Sequence, residues 1–163
     1  PNQLTSFWKV PFLTFLIALS SSFLRGSSES SHSPAPSKVA ILIPPDAWNE
    51  LEQDIKGYIA DVSKLRPVSF EIVVQDFPSP HQVRETIKKL YDEKSIQGAI
   101  LVGAIPMHRF FIHENPSPNP LYYEDFDLSY HDDDRDGVDD RASGTPNLRL
   151  WVANIRSTEQ SNQ

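Results

Sequence analysis

Cysteine is absent from all 163 residues. That removes disulfides, thiolate zinc sites, a lipid-attachment cysteine and any cysteine nucleophile within these residues. Clusters of lysine and arginine are missing as well, and the net charge is -7. Contact with phosphates needs such clusters, so nucleic acid is not an expected partner. Glycine is scarce, at 6 residues. No glycine-rich loop follows the first apolar run, where Pro44-Pro45-Asp46 stands instead, which argues against a nucleotide-binding domain of flavodoxin-like type.

What the chain does contain is concentrated acid. From Glu124 to Asp140 there are nine carboxylates against one arginine, so the rest of the chain is close to neutral. Carboxylates packed this closely raise one another's pKa unless a cation sits among them. The run Asp132-Asp133-Asp134-Arg135-Asp136-Gly137-Val138-Asp139-Asp140 puts acids at positions one, three, five and nine of a loop, with glycine at six. That is the spacing of a calcium cradle, in which alternate side chains turn inward and the glycine permits the sharp bend. The expected ligands are Asp132, Asp134 and Asp136, the Val138 carbonyl, and Asp140 directly or through water. Position twelve, where an EF-hand has a bidentate Glu, is Ser143. An upstream acid, Glu124, Asp125 or Asp127, is expected to supply the missing ligand.

Ca2+ suits the loop better than magnesium, which demands tighter octahedral geometry. A two-metal hydrolase would need histidines at ligand spacing, and His108, His113 and His131 read instead as surface or structural residues. A solvated acidic loop without metal is the plain alternative.

The remainder alternates between strand and helix patterns. Residues 1–25 read as a cleaved export signal, with Lys9, an apolar run from Val10 to Leu19 and the small-x-small site Ala18-Leu19-Ser20. A membrane anchor reaching Leu24 is the alternative. The start at Pro1 suggests a piece of a longer chain. Gly26 to Ser37, rich in Ser and Pro, reads as a flexible linker. Val39 to Ile43 is a doubly buried strand. A helix follows, capped by Asp46 and with apolar residues at three- and four-residue spacing from Trp48 to Leu65, until Arg66-Pro67 stops it. Ser69 to Gln75 is a second strand. Ser79-Pro80-His81-Gln82 opens a second helix with a capping box and the stripe Val83, Ile87, Leu90. Gly98 to Gly103 is a third strand. An irregular excursion through Pro116, Pro118 and Pro120 precedes the acidic loop, and Leu148 to Ile155 is a fourth strand. The fold class is α/β, a three-layer sandwich with a mainly parallel sheet and right-handed crossovers.

In this order, Ile87-Lys88-Lys89-Leu90-Tyr91, Gly98-Ala99-Ile100-Leu101-Val102-Gly103-Ala104-Ile105-Pro106, Leu121-Tyr122-Tyr123-Glu124-Asp125-Phe126-Asp127, the acidic loop and Leu150-Trp151-Val152-Ala153-Asn154-Ile155 resemble the N-terminal part of the gingipain-like cysteine peptidases. The resemblance covers Val39 to Ile155. It implies a caspase-like fold, secretion, bound calcium, and a catalytic His and Cys carried by a later subdomain. Ala153-Asn154 departs from the family's usual Gly-Arg. No catalytic residue is assigned here, because the chain stops before the family's catalytic pair. The function expected is that of an N-terminal subdomain of a secreted endopeptidase, located outside the cell, in the periplasm or on the cell surface. It would act on protein or peptide substrates through the missing part, and meet a membrane only through its N-terminal segment. A noncatalytic calcium-binding module for cell-surface contacts is the alternative. A coding sequence that continues past Gln163 to a strand ending in His-Gly and a later one ending in Cys would separate the two.

Overall fold

Two continuously apolar runs, Val39 to Ile43 and Gly98 to Val102, form the middle of the sheet because their successive side chains find apolar neighbours on opposite faces. A computed structural model describes residues 36–112 and 115–156. The leader, most of the linker, His113 and the final seven residues lie outside the described residues. Among the described residues, no helix is long and apolar enough to cross a membrane.

In chain order the elements are β1 (Ser37–Ile43), α1 (Pro45–Leu65), β2 (Val68–Val74), α2 (Pro80–Lys94), β3 (Gly98–Val102), β4 (Arg109–Ile112), β5 (Asn115–Pro118), α3 (Leu121–Glu124), β6 (Ser129–His131), β7 (Arg141–Ser143) and β8 (Trp151–Ile155). One four-stranded sheet has the order β2-β1-β3-β8, parallel throughout. Alternation along its strands divides the core. Ala40, Leu42, Ala99 and Leu101 face α2 and α3, where Val83, Ile87 and Tyr123 are fully buried. Val39, Ile41, Ile43, Ile100 and Val102 face α1, whose Ile55 they enclose. The α/β expectation holds, with helices on both faces of a parallel sheet.

Several boundaries differ from the sequence reading. Ser37 belongs to β1 and not to the linker, for its amide donates to the Pro67 carbonyl at 2.9 Å. Asp46 does not cap α1: Pro44 holds that place without a side-chain hydrogen bond, and Asp46 sits in the first turn. Pro45 is preset for the first helical position, so no polar cap is required to start the helix. At α2 the Ser79 half of the capping box forms, with Ser79 Oγ accepting from the Gln82 amide at 3.3 Å. The last strand starts at Trp151, three residues later than Leu148. Asn147 and Arg149 are held by carboxylates of the 124–127 segment before pairing can begin.

The irregular excursion is also more ordered than its prolines imply. It folds into two antiparallel ribbons, β4 with β5 and β6 with β7, joined through α3. Pro116 and Pro118 fit because β5 is an outer strand, where a missing amide leaves no ladder bond unmade. Arg84 of α2 ties the excursion to the body. Its guanidinium donates to the Asp125 and Leu128 carbonyls at 2.9 and 3.1 Å and lies 4.8 Å from the centre of the Tyr122 ring.

Candidate metal centre

The acidic loop is the connection of the β6–β7 ribbon, closed at its base by the Asp140 amide on the His131 carbonyl at 2.9 Å. Five of its six aspartates part into three groups. Asp132, Asp134 and Asp136 turn to one side, with one oxygen of each lying within 4.8 Å of the others. Asp133 turns to the opposite side and takes a bidentate pair from Arg141, at 3.2 Å from Nε and 3.1 Å from the terminal nitrogen. Asp139 turns back into the protein. This alternation is what the one-three-five spacing predicts.

Backbone amides hold the inward group in place. Asp132 Oδ1 accepts from Arg135 and Asp136 at 2.6 and 3.2 Å, and its Oδ2 accepts from Gly137 at 2.9 Å. Asp134 Oδ1 accepts from the Asp136 amide at 3.1 Å, and Asp136 Oδ1 from that of Val138 at 2.8 Å. Gly137, at φ +90, and Arg135, at φ +67, make the bend. The left-handed region is open to glycine and disfavoured for arginine by about 1–2 kcal/mol, so one residue turns easily and its neighbour is held by the network. Among the described residues, no hydrogen bond engages the second oxygens of Asp134 and Asp136. These donors suit a hard cation.

Electrostatics point the same way. The Asp136 amide is the largest single influence on Asp134 and lowers its pKa, yet desolvation and the charges of Asp136, Asp140 and Asp132 outweigh it and leave the group above its ordinary value. Asp140 therefore contributes charge, though it is not one of the three converging carboxylates. Its Oδ2 accepts from the Asp133 amide at 2.9 Å. Ser143 is occupied on β7, opposite Ser129, with its Oγ 2.8 Å from His131 Nε2.

The upstream acids expected to complete the site are turned elsewhere, which corrects that expectation. Glu124 Oε1 accepts from the Val152 amide at 2.9 Å, on the outer edge of β8. Asp125 is fully buried and accepts from the amides of Asp127, Leu128 and Asn147. Asp127 pairs with Arg149 at 2.7 Å, and this hydrogen bond holds its carboxyl below the ordinary range. All three brace the approach to β8.

Sequence reading also missed how the loop is anchored. Asp139 Oδ2 lies 2.5 Å from Nε2 of the buried His108, and the backbone of Asp139 pairs with β4 through Arg109 and Phe111. His108 stacks on Tyr122 with ring centres 3.9 Å apart, its Nδ1 is 3.3 Å from Asn119, and its amide donates to Tyr123 Oη at 2.8 Å. Burial lowers the pKa of His108 more than the Asp139 carboxylate raises it. The only sequence signal was a histidine near an acidic run, which does not identify the one aspartate of the run that points inward.

No family model, curated protein or solved structure matches this chain.

Proposed function

We propose that these residues form the calcium-stabilised N-terminal lobe of an exported gingipain-like cysteine endopeptidase, a lobe that supplies no catalytic residue itself. The observation that carries the metal part is the convergence of three carboxylates, Asp132, Asp134 and Asp136, at the tip of a ribbon. Calcium takes six to eight oxygens in flexible geometry, whereas magnesium takes six in a stricter one. An exposed loop with three carboxylates, the Val138 carbonyl and access for water answers the first description better. Asp140 acts through water and through its charge. When bound, the cation supplies charge neutralisation and rigidity to the loop.

The peptidase part is supported by the order of the elements, a parallel β2-β1-β3-β8 sheet with an acidic excursion inserted between β3 and β8, together with the motif resemblance. A thiolate mechanism needs a thiol and a histidine base. With no cysteine among the 163 residues, the thiol belongs to a part of the protein outside them. A noncatalytic calcium-stabilised surface module is the second reading, favoured by that same lack of a thiol.

Calorimetric titration of the 163-residue chain with calcium should show saturable binding that the double variant Asp134→Asn/Asp136→Asn loses. At calcium a hundredfold above Kd the native state gains about 2.7 kcal/mol, read as a higher melting temperature that a chelator reverses. The same chain should not hydrolyse peptides. A silent titration removes the metal reading, and inhibitor-sensitive hydrolysis by this chain alone removes the division of labour.

A further inference from the structure

Aspartate followed by glycine occurs once in the chain, at Asp136-Gly137, and no asparagine is followed by glycine. In such a pair the glycine nitrogen can attack the preceding carboxyl carbon, because no Cβ on the glycine stands in the way. The pair lies at the tip of the β6–β7 ribbon with both residues exposed. A Cβ placed on Gly137 would find no atom beyond its chain neighbours within 4 Å, so nothing covers the bond. The other acids of the loop are each followed by aspartate or arginine, whose side chains crowd the same approach.

Local geometry favours the attack. Asp136 Oδ1 accepts from the Val138 amide at 2.8 Å, and to reach that amide the carboxyl folds back over the peptide bond to Gly137. The Gly137 amide donates to Asp132 Oδ2 at 2.9 Å, which puts a carboxylate beside the proton that the nitrogen must lose. Nucleophile, carboxyl and proton acceptor are thus held together by neighbouring bonds, and little chain entropy is left to lose in closing a ring.

We propose that Asp136 is a self-modification site, which converts to isoaspartate through a cyclic imide closed with Gly137 when no cation occupies the loop. The Gly137 nitrogen forms a bond to Asp136 Cγ, and one carboxylate oxygen leaves as water with the amide proton and a proton from solvent. Water then opens the ring at the main-chain carbonyl of residue 136. No oxidant, reductant or cofactor enters. The product carries one more methylene in the main chain and a carboxylate attached directly to Cα. It withdraws Asp136 from its convergence with Asp132 and Asp134 and gives up the bond to the Val138 amide. A cation held by the three carboxylates stops the step, since an oxygen bound to it does not leave as water; this second half rests on the metal reading above. The new carboxylate is the kind of group that an S-adenosylmethionine-dependent carboxyl methyltransferase esterifies.

The test holds the full 163-residue chain at 37 °C for four weeks, with chelator or with millimolar calcium, and locates isoaspartate by peptide mapping and by enzymatic methylation of the peptides. In chelator, isoaspartate at position 136 should exceed that at every other aspartate at least tenfold, and calcium should slow its formation at least fivefold. Gly137→Ala should also slow it at least fivefold, both in chelator and in urea, where the positive φ of residue 137 no longer matters. Isoaspartate absent from position 136, or spread evenly over the loop, overturns the proposal, and so does an undiminished rate in Gly137→Ala. Equal rates in calcium and chelator overturn the protection where calorimetry shows calcium bound. Where calorimetry is silent, equal rates remove the metal reading and leave the isomerisation standing.

Discussion

Neighbouring aspartates in the acidic loop have different roles because successive residues of a turn point in different directions. Asp134 converges with Asp132 and Asp136, Asp133 meets Arg141 and Asp139 meets His108. A sequence states their number and spacing, which was enough to find the converging three. It did not say which aspartate anchors the loop, since that depends on where β4 lies. The buried end of this anchor predicts a pH effect. His108 has a folded pKa below its ordinary 6.5, so the unfolded chain takes up the proton first. Stability is therefore full above about pH 6.5 and falls as the pH drops toward the folded value, below which this contribution is flat. Melting temperatures measured across that window should fall in the wild type and hold steadier in His108→Gln. Tyr123 makes a sharper case. Its hydroxyl donates to the Pro106 carbonyl at 2.9 Å and accepts from the His108 amide. Tyr123→Phe leaves that amide without its partner in a buried place and should cost about 1–3 kcal/mol in urea melts.

At the scale of elements, the helices and central strands were legible because their signals are local. Val83 and Ile87 recur at helical spacing on α2 and both are fully buried. The start of α2 is set by Ser79, and Ser79→Ala should lower stability by about 1 kcal/mol in denaturant titration. Asp46→Ala at α1 should cost less, for it breaks no capping hydrogen bond. The ribbons were not legible. Short strands carrying Pro116 and Pro118 lack an alternating pattern, and the tyrosines beneath them hold the chain before β4 through His108, Tyr122 by stacking and Tyr123 by its hydroxyl. The segment Tyr122 to Asp127 stood out as a motif, and its role is structural. It stacks on His108, bridges the chain before β4, caps the edge of β8 and pairs with Arg149.

Across the whole molecule, the acidic loop is tied to the outer ribbon and not to the central sheet. Asp139 joins β4, while β1 and β3 lie inside both layers of helices. If calcium orders the loop, hydrogen exchange should slow on calcium addition at residues 132–140 and 109–111, and also at 39–43 and 98–102, whose amides open only with global unfolding and gain the added stability. Amides at the C-terminal end of α1, which open locally and leave the loop intact, should not change. No slowing at 109–111 would remove the coupling through Asp139.

The amino-acid sequence alone determined the alternation of buried strands and amphipathic helices, the α/β class and the grouping of aspartates at one, three and five, because each depends on periodicity within a few residues. The tertiary structure alone decided which acids brace β8 and that His108 anchors the loop through Asp139. Those outcomes depend on residues distant in the chain meeting in space. A carboxylate's role is set by the partner it meets there, and local spacing does not specify that partner.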